Sequence, residues 1–481
     1  MRVLHDRRCL QVLDALPLGL QMRIMRAAPS LKDLLCVLPP HMHVAALSAK
    51  IRTIDATSSL QIPHNWCATA AWLPGVATVA SLTHLTRLSA ATANKGRPTC
   101  DALPEAHTDR LLDTLGHLSR LRNLTLCGLR LQNGQTAQLA TCMRLLPGLS
   151  SLRLSGTIPG GGLLQNVLQP CTALVSLSLA GLLFTSADMH AAAVAAVMPS
   201  MQALSTLDLS HTGLTQDMWA QIRTMLPHLH GLHTLNVSNN RLSTVPVDAA
   251  KAALAEGADL AGQPREAQPL PLRVIDLTCN DSLESGKSSA ASGIVPFIFG
   301  QTELTRLELA LTHAFSSSSR DVLVEAFGFL RSLRWLGLQK CRIGAAEATA
   351  LAETFPALQA LTLLDLYGNS VRDRGMSVLA KRMAALQELR VLNLGMNNVT
   401  DEGVEELVAA LPRMPHLRRL HLMSNGIGDQ GARVLSQALP DVPSLRNLML
   451  FGNRMSAQGQ EVLEGRCAKH GVQVLVARCM V

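Results

Sequence analysis

A repeat of constant period constrains the fold of this chain more than any other feature of its sequence. The pattern LxxLxLxxNxL fits the segment from Leu389 to Val399 at every defined position. The first leucine of the pattern recurs at the same interval each time, at Leu333, Leu361, Leu389, Leu417 and Leu445. Such a fixed period is typical of solenoids, in which each unit buries its apolar face against the next unit.

Less regular copies of the pattern extend the repeat toward the N-terminus. Their first leucines are Leu304, Leu272, Leu232, Leu204, Leu174, Leu149, Leu121 and Leu85. A closing half-unit is predicted near residues 470–481, which brings the array to about thirteen units over residues 81–481. The interval from Leu232 to Leu272 is longer than all the others, and this predicts an insertion near residues 248–271. That insertion is interpreted as a solvated loop or, alternatively, as a separate docking segment.

Each unit predicts a short strand followed by a helix. The alternating leucines of the LxL core point inward while the residues between them face solvent, as in a strand. The ninth position favours Asn, whose side chain can bond the backbone where the chain leaves the strand. Cys341 takes this position in one unit. Asp373, Asp401 and Asp429 then begin amphipathic runs, and Asp at a helix start is expected to cap free N–H groups.

These units resemble the ribonuclease-inhibitor type of leucine-rich repeat over roughly residues 85–481. The resemblance implies an α/β fold, a right-handed solenoid or horseshoe with parallel strands on the concave face and helices on the convex face. Repeats of this type also occur in Ran GTPase-activating protein, in NOD-like receptors and in ciliary and cytoskeletal proteins. The resemblance is therefore specific for the fold and not for one function.

Residues 1–80 do not fit the repeat. One interpretation is a hydrophobic helical cap that shields the first repeat, because solenoids need such caps. The alternative is an adaptor segment for ubiquitination, since Leu16-Pro17, Leu20, Ile24 and Leu34-Leu35 resemble the F-box pattern. Trp66 and Trp72 lie too far downstream to supply the usual Trp of that family.

Composition narrows the choice of partner and compartment. The net charge is +8, but no dense Lys/Arg run interleaved with aromatic residues occurs, and nucleic-acid binding is not expected. The 11 Cys residues form no CxxC pair and favour a reducing compartment. The sequence therefore favours an intracellular, cytoplasmic location over a mitochondrial one. No apolar run is predicted to span a membrane.

Candidate chemistry is sparse in this sequence. Residues 281–288 resemble the end of a phosphate-binding loop, but Asp281 stands where the first Gly belongs. The His residues show no HExxH spacing and no metal-ligand spacing is evident. The sequence predicts no catalytic residues, no cofactor and no metal site. The alternative that this protein is a GTPase-activating regulator rests only on the resemblance given above.

A binding surface is the better-supported hypothesis. Positions three, five and seven of the early units carry small or polar residues, such as Ser176 and Thr206. The late units carry larger ones, namely Trp335, Tyr367, Arg419, His421, Met423, Asn447, Met449 and Phe451. Position five adds an acidic stripe of Asp208, Asp276, Glu308 and Asp365.

Aromatic residues, Met and Arg are enriched at protein interfaces. The partner-binding residues are therefore predicted to be the eight large residues of the late units together with Asp365 and Glu308. An alternative is that these side chains only pack against one another across neighbouring strands. The predicted function is a non-enzymatic protein-protein interaction scaffold, or a subunit of a larger intracellular assembly. The identity of the protein partner and the oligomeric state are not specified by the sequence.

Overall fold

The structure of the chain is a computed structural model. It describes residues 59–62, 87–90, 108–242 without 110, 111, 114, 117, 186 and 188, then 271–280, 298, 301–312, 315 and 320–476. Three features named above lie outside these residues: the F-box-like segment, all but the last residue of the insertion at 248–271, and the phosphate-loop-like segment 281–288. The chain divides into a first unit of residues 1–213 and 224–231 and a second unit of residues 214–223 and 232–481.

The first unit alternates parallel strands with helices. Its strands pair in sequence order as β1 (Ser59–Ile62), β2 (Arg87–Ala90), β3 (Asn123–Arg130), β4 (Ser151–Thr157), β5 (Ser176–Ser178) and β6 (Thr206–Asp208). Helices α1 (Asn133–Arg144), α2 (Gly161–Leu168) and α3 (His190–Val197) follow β3, β4 and β5, and α4 (Gln216–Met225) is divided between the units. Strand β1 lies N-terminal to the predicted boundary at residue 80, and that boundary stays a prediction.

The second unit repeats the same alternation with greater regularity. Its strands are β7 (Thr234–Asn236), β8 (Val274–Asp276), β9 (Arg306–Glu308), β10 (Trp335–Gly337), β11 (Leu363–Asp365), β12 (Val391–Asn393), β13 (Arg419–His421), β14 (Asn447–Met449) and β15 (Gln473–Leu475). Its helices are α5 (Arg320–Phe327), α6 (Ala345–Thr354), α7 (Arg372–Met383), α8 (Asp401–Ala410), α9 (Asp429–Ala438) and α10 (Ala457–Lys469). Neighbouring strands pair in parallel, and the α/β repeat architecture predicted from the sequence is confirmed.

The core of the second unit lies between its strands and its helices. The inward leucines of successive strands, such as Leu364, Leu392 and Leu420, have no exposed surface. Phe327 and Phe355 fill the space beside the helices and are equally buried. The residues on either side of each inward leucine are less buried, which confirms the alternation predicted for the strands. This alternation places one row of side chains from every strand on the opposite side of the sheet.

The Asn of the ninth position forms a buried ladder along the second unit. The amide nitrogen of Asn397 donates to the carbonyl oxygens of Leu366 at 2.8 Å and Gly395 at 3.1 Å. Its amide oxygen accepts from the backbone N–H of Val371 at 3.3 Å. In another repeat Cys341 holds the ninth position. Its Sγ donates to the Leu309 carbonyl at 3.0 Å and so forms one of the equivalent bonds. The predicted backbone-bonding role of the ninth position is confirmed.

The Asp residues at the helix starts cap the helix of the following repeat and not their own. Asp373 Oδ1 accepts the backbone N–H groups of Thr400 at 2.7 Å and Gly403 at 3.1 Å, at the start of α8. Asp401 contacts the start of α9 in the same way. The expectation that these Asp residues cap free N–H groups is confirmed, and the helix that each one caps is the next along the chain. The carboxylate reaches the neighbouring helix because a Gly at that helix's third position leaves room for it.

Candidate functional site: the strand face of the second unit

All the predicted partner-binding residues lie in the second unit, on the side of its strands opposite the buried leucines. We call this surface the strand face. It consists of positions three, five and seven of the repeats that contain β9 to β14, counted from the first leucine of each repeat. Strand pairing places Arg419 beside Asn447 and His421 beside Met449. Glu308 is buried at 8% exposure and Arg419 is exposed. The others are half-buried: Trp335, Asp365, Tyr367, His421, Met423, Asn447, Met449 and Phe451.

One end of the strand face carries a charged cluster around Trp335. The guanidinium carbon of Arg306 lies 4.3 Å from the centroid of the Trp335 ring, which is cation–π geometry. Arg306 Nη2 also lies 3.0 Å from Glu308 Oε1. Burial raises the pKa of the Glu308 carboxyl, and the Arg306 charge opposes that shift. Gly337 is needed here, because a Cβ atom at this position would collide with the Glu308 carboxylate.

Arg306 is a strand-face residue that the sequence pattern alone did not single out, although a signal for it was present. Arg306 occupies position three of its repeat and lies directly beside Trp335 in the register of β9 and β10. Position three is predicted to project from the same surface as the aromatic residues. The signal is weaker here because the unit of Arg306 departs from the constant interval of the later units.

Asp365 organises the middle of the strand face. Its Oδ1 accepts the backbone N–H of Tyr367 at 3.0 Å, and its Oδ2 accepts Gln339 Nε2 at 2.8 Å. Asp276 and Asn393 accept the backbone N–H two residues ahead in the same manner. Position five thus has a structural role at the end of each of these strands. In the second unit Gly337 and Asn393 also interrupt the acidic stripe.

Tyr367 and Met423 lie over a small residue on the strand between them. A Cβ atom placed on Gly395 would stand 2.6 Å from Met423 Sδ and 2.9 Å from Tyr367 Cδ2. The Tyr367 hydroxyl donates to the Sδ atom of Met396 at 2.7 Å. These large side chains pack against one another across neighbouring strands, as the alternative interpretation expects. They nevertheless stay half-exposed and leave an apolar surface on the strand face.

Four polar atoms on the strand face are buried and have no hydrogen-bond partner among the described residues. They are Trp335 Nε1, Gln339 Oε1, His421 Nε2 and Asn447 Oδ1. A buried polar atom without a partner typically costs about 1–3 kcal/mol. Native proteins keep few such atoms. All four lie beneath the surface, closed off from solvent by neighbouring side chains.

The pKa of His421 depends on the charged residues of this surface. Burial lowers the pKa of its imidazole, the Asp365 charge opposes this shift and the Arg419 charge adds to it. The ring is therefore uncharged at neutral pH. One ring nitrogen of an uncharged imidazole donates and the other accepts, so His421 can offer either group to a partner.

We expect the titration of His421 to respond in opposite directions to two substitutions. Asp365→Asn lowers the pKa of His421 further, because it removes the negative charge that favours the protonated ring. Arg419→Ala raises that pKa, because it removes a positive charge. Both shifts can be followed by histidine NMR titration, with the His421 signal assigned by its loss in His421→Gln. Shifts of the same sign in the two variants would show that these three side chains do not share one electrostatic environment.

Among the described residues, no group of three or more His, Cys, Asp or Glu side chains is placed to hold a metal ion. In the same part of the chain, no helix has the length and apolar character needed to cross a membrane.

Comparison with known proteins agrees with the repeat. Residues 386–408 and 413–436 match the family model described as Leucine Rich repeat. No curated protein matches the chain at the level of sequence. The match over these two repeats and the alternating strands and helices together define the fold as an α/β leucine-rich-repeat solenoid.

Several solved structures are similar to the chain at low identity. An internalin of Listeria monocytogenes is 16% identical with a TM-score of 0.46, covering 90% of this chain and 95% of that one. A leucine-rich-repeat protein of Leptospira interrogans is 16% identical with a TM-score of 0.39, covering 86% of this chain and 100% of that one. A chain of the Drosophila Toll–Spatzle complex is 15% identical with a TM-score of 0.40, covering 83% of this chain and 48% of that one.

Proposed function

We propose that this protein is a non-enzymatic interaction scaffold, or a subunit of a larger intracellular assembly, and that it binds a protein partner through the strand face of its second unit. The carrying observation is the row of half-exposed aromatic and Met side chains that neighbouring repeats place side by side on this face. Leucine-rich repeats commonly present such an extended strand surface to other proteins.

The strand face has the composition of an interface centre. Trp335, Tyr367 and Phe451 supply large, rigid apolar surfaces, and such residues dominate the binding energy of protein interfaces. Arg306 already stacks on Trp335, which fixes the indole ring before a partner arrives. A side chain held in place beforehand loses little conformational entropy on binding. This arrangement supports tight binding by a surface of modest size.

An affinity purification with a matched control tests this function. The full chain is compared with a variant carrying Trp335→Ala, Tyr367→Ala, Met423→Ala and Phe451→Ala, and with a control carrying Phe329→Ala and Val462→Ala. The control residues are exposed apolar side chains outside the strand face, at 47% and 51% exposure. We expect one defined set of proteins to be lost only from the strand-face variant. Circular dichroism verifies that all three proteins are folded.

Calorimetry with a recovered partner then gives the binding free energy that each substitution removes. Each aromatic substitution at an interface centre is expected to cost about 2 kcal/mol or more of binding free energy by calorimetry. Recovery of the same partners with the strand-face variant would place the binding surface elsewhere on the chain and would reject the proposed site.

A further inference from the structure

A row of arginine side chains lies along the edge where the strands of the second unit begin. Arg390, Arg418 and Arg446 follow the first leucine of three consecutive repeats, and all three are exposed. The Arg418 N–H donates to the Arg390 carbonyl at 2.9 Å, and the Arg446 N–H donates to the Arg418 carbonyl at 2.8 Å. These backbone bonds hold the arginines side by side. We call these three residues and the adjacent, exposed Arg419 the arginine edge.

Folding does not require arginine at this position of the repeat. In two other repeats of the second unit the position is Thr, while Arg273 and Arg334 hold it in two more. Thr305 Oγ1 lies 2.9 Å from the Arg273 carbonyl oxygen, and Thr362 Oγ1 lies 2.8 Å from the Arg334 carbonyl oxygen. The backbone bond between repeats forms with either residue, so it does not depend on the arginine side chain.

The charges of the arginine edge are poorly compensated. Arg390 lies 4.0 Å from Glu388, at the limit of an ion pair, and both side chains are about half exposed. Within the described part of the chain, Arg418 and Arg419 have no carboxylate within that distance. Like charges side by side on neighbouring strands are destabilising. This crowding of positive charge opposes folding and would be relieved by an anionic partner.

A pocket adjoins the end of this row. It has a volume of about 390 Å³ and is lined by Arg446 and His470 together with Leu439, Pro440, Val442 and Val472. The Arg446 Nη1 donates to the backbone carbonyls of Pro443 at 2.6 Å and Leu445 at 2.8 Å. The guanidinium is thereby anchored at the wall of the pocket. The exposed lining of the pocket is more polar than apolar, so the pocket adds no apolar subsite to the arginine edge.

We propose that the arginine edge binds an acidic segment of a partner protein, with carboxylates on Arg418, Arg419 and Arg446. Guanidinium groups pair with carboxylates through two parallel hydrogen bonds, which adds geometric specificity to the charge attraction. This surface shares Arg419 with the strand face but contains none of its aromatic or Met residues.

Two features favour an acidic protein segment over a nucleic acid. Neither the arginine edge nor the pocket lining contains Trp, Tyr or Phe, the side chains on which unpaired bases stack. Glu388 and Asp441 are also exposed along this edge and would repel a continuous line of phosphates. A protein segment can place its carboxylates only where the arginines stand.

Fluorescence anisotropy with the full chain tests the proposal. The probe is a fluorescein-labelled peptide in which pairs of Glu alternate with single Leu residues. Its matched forms carry Gln in place of Glu, or Ser in place of Leu. The edge variant carries Arg418→Ala, Arg419→Ala and Arg446→Ala. The control variant carries Arg374→Ala, Lys381→Ala and Arg382→Ala, which removes the same charge from exposed positions on α7.

We expect the edge variant to bind the Glu/Leu peptide roughly tenfold more weakly, the sum of three exposed ion pairs. The control variant and the strand-face variant should bind it like the unchanged protein. The Gln peptide should not bind, and the Ser peptide should bind as tightly as the Leu peptide. Equal losses of peptide affinity in the edge and control variants would show that only the net charge of the protein matters, and this would overturn the proposal. Tighter, edge-dependent binding of a single-stranded RNA or of phosphatidylserine vesicles would also overturn it.

Discussion

Replacing Asn397 with Leu is expected to lower the free energy of unfolding of the second unit by about 3–5 kcal/mol. Asn397 has no exposed surface, and its amide satisfies two carbonyl oxygens and one backbone N–H. A Leu side chain of similar size bonds none of them, and water cannot reach the site. Each buried group left without a partner costs about 1–3 kcal/mol. Urea unfolding gives the loss, and hydrogen exchange at the Val371 amide locates it.

The structure supplies a graded control for this substitution. In the repeat that begins at Leu304, Thr312 stands in the Asn position, and its hydroxyl donates to the Leu309 carbonyl at 2.6 Å. Asn397→Thr should therefore form one bond to a backbone carbonyl and cost clearly less than Asn397→Leu. Equal losses in the two variants would mean that the hydrogen bonds of the ladder contribute little, and that shape alone is selected at this position.

Replacing Gly431 with Ala should destabilise the protein by about 2–3 kcal/mol, although Ala is ordinarily the better residue inside a helix. A Cβ atom at Gly431 would stand 2.5 Å from Asp401 Oδ1 and 2.7 Å from Ile427 Cγ2. The Asp401 carboxylate would have to move, and it would lose its bonds to the Gly428 and Gly431 N–H groups at 2.7 and 3.0 Å. The loss is measured as the shift of the urea unfolding transition.

Gly465 provides the control, because the same substitution there should have the opposite sign. It lies inside α10, and a Cβ atom added to it would meet no atom within 4 Å, so a methyl group enters open space. Gly465→Ala should raise stability by about 0.5–1 kcal/mol. In an Asp401→Ala background the cost of Gly431→Ala should fall, since the carboxylate no longer fills the space. A cost that is unchanged in that background would assign the effect to Ile427 instead.

The regular part of the fold could be predicted from the sequence. The recurrence of leucines predicts the inward residues of β10 to β14, and the ninth position predicts the buried Asn ladder. Both depend on one repeat unit, whose strand and turn obey local rules. The same regularity is why the residues at positions three, five and seven could be assigned to the strand face before their contacts were known.

Contacts between successive repeats were not predictable in the same way. The carboxylate of Asp373 reaches the start of α8, and the guanidinium of Arg306 reaches the ring of Trp335. Both contacts depend on how far apart two neighbouring units lie, a distance that the pattern within one unit does not contain. The unpartnered atoms on the strand face also depend on burial by neighbours. The residues outside the repeat rule, such as 248–270, lie outside the described part of the chain.

Because each Asp caps the helix of the next repeat, an additional repeat fits better at some places in the array than at others. The repeat from α8 to α9 both receives a carboxylate, from Asp373 to Gly403, and offers one, from Asp401 to Gly431. A duplicated copy of this repeat would therefore fit between its neighbours with both contacts intact. At the position that corresponds to Asp429, α10 carries Ala457, which has no carboxylate to offer. Gene duplication can thus lengthen this solenoid from within more readily than by addition behind α10.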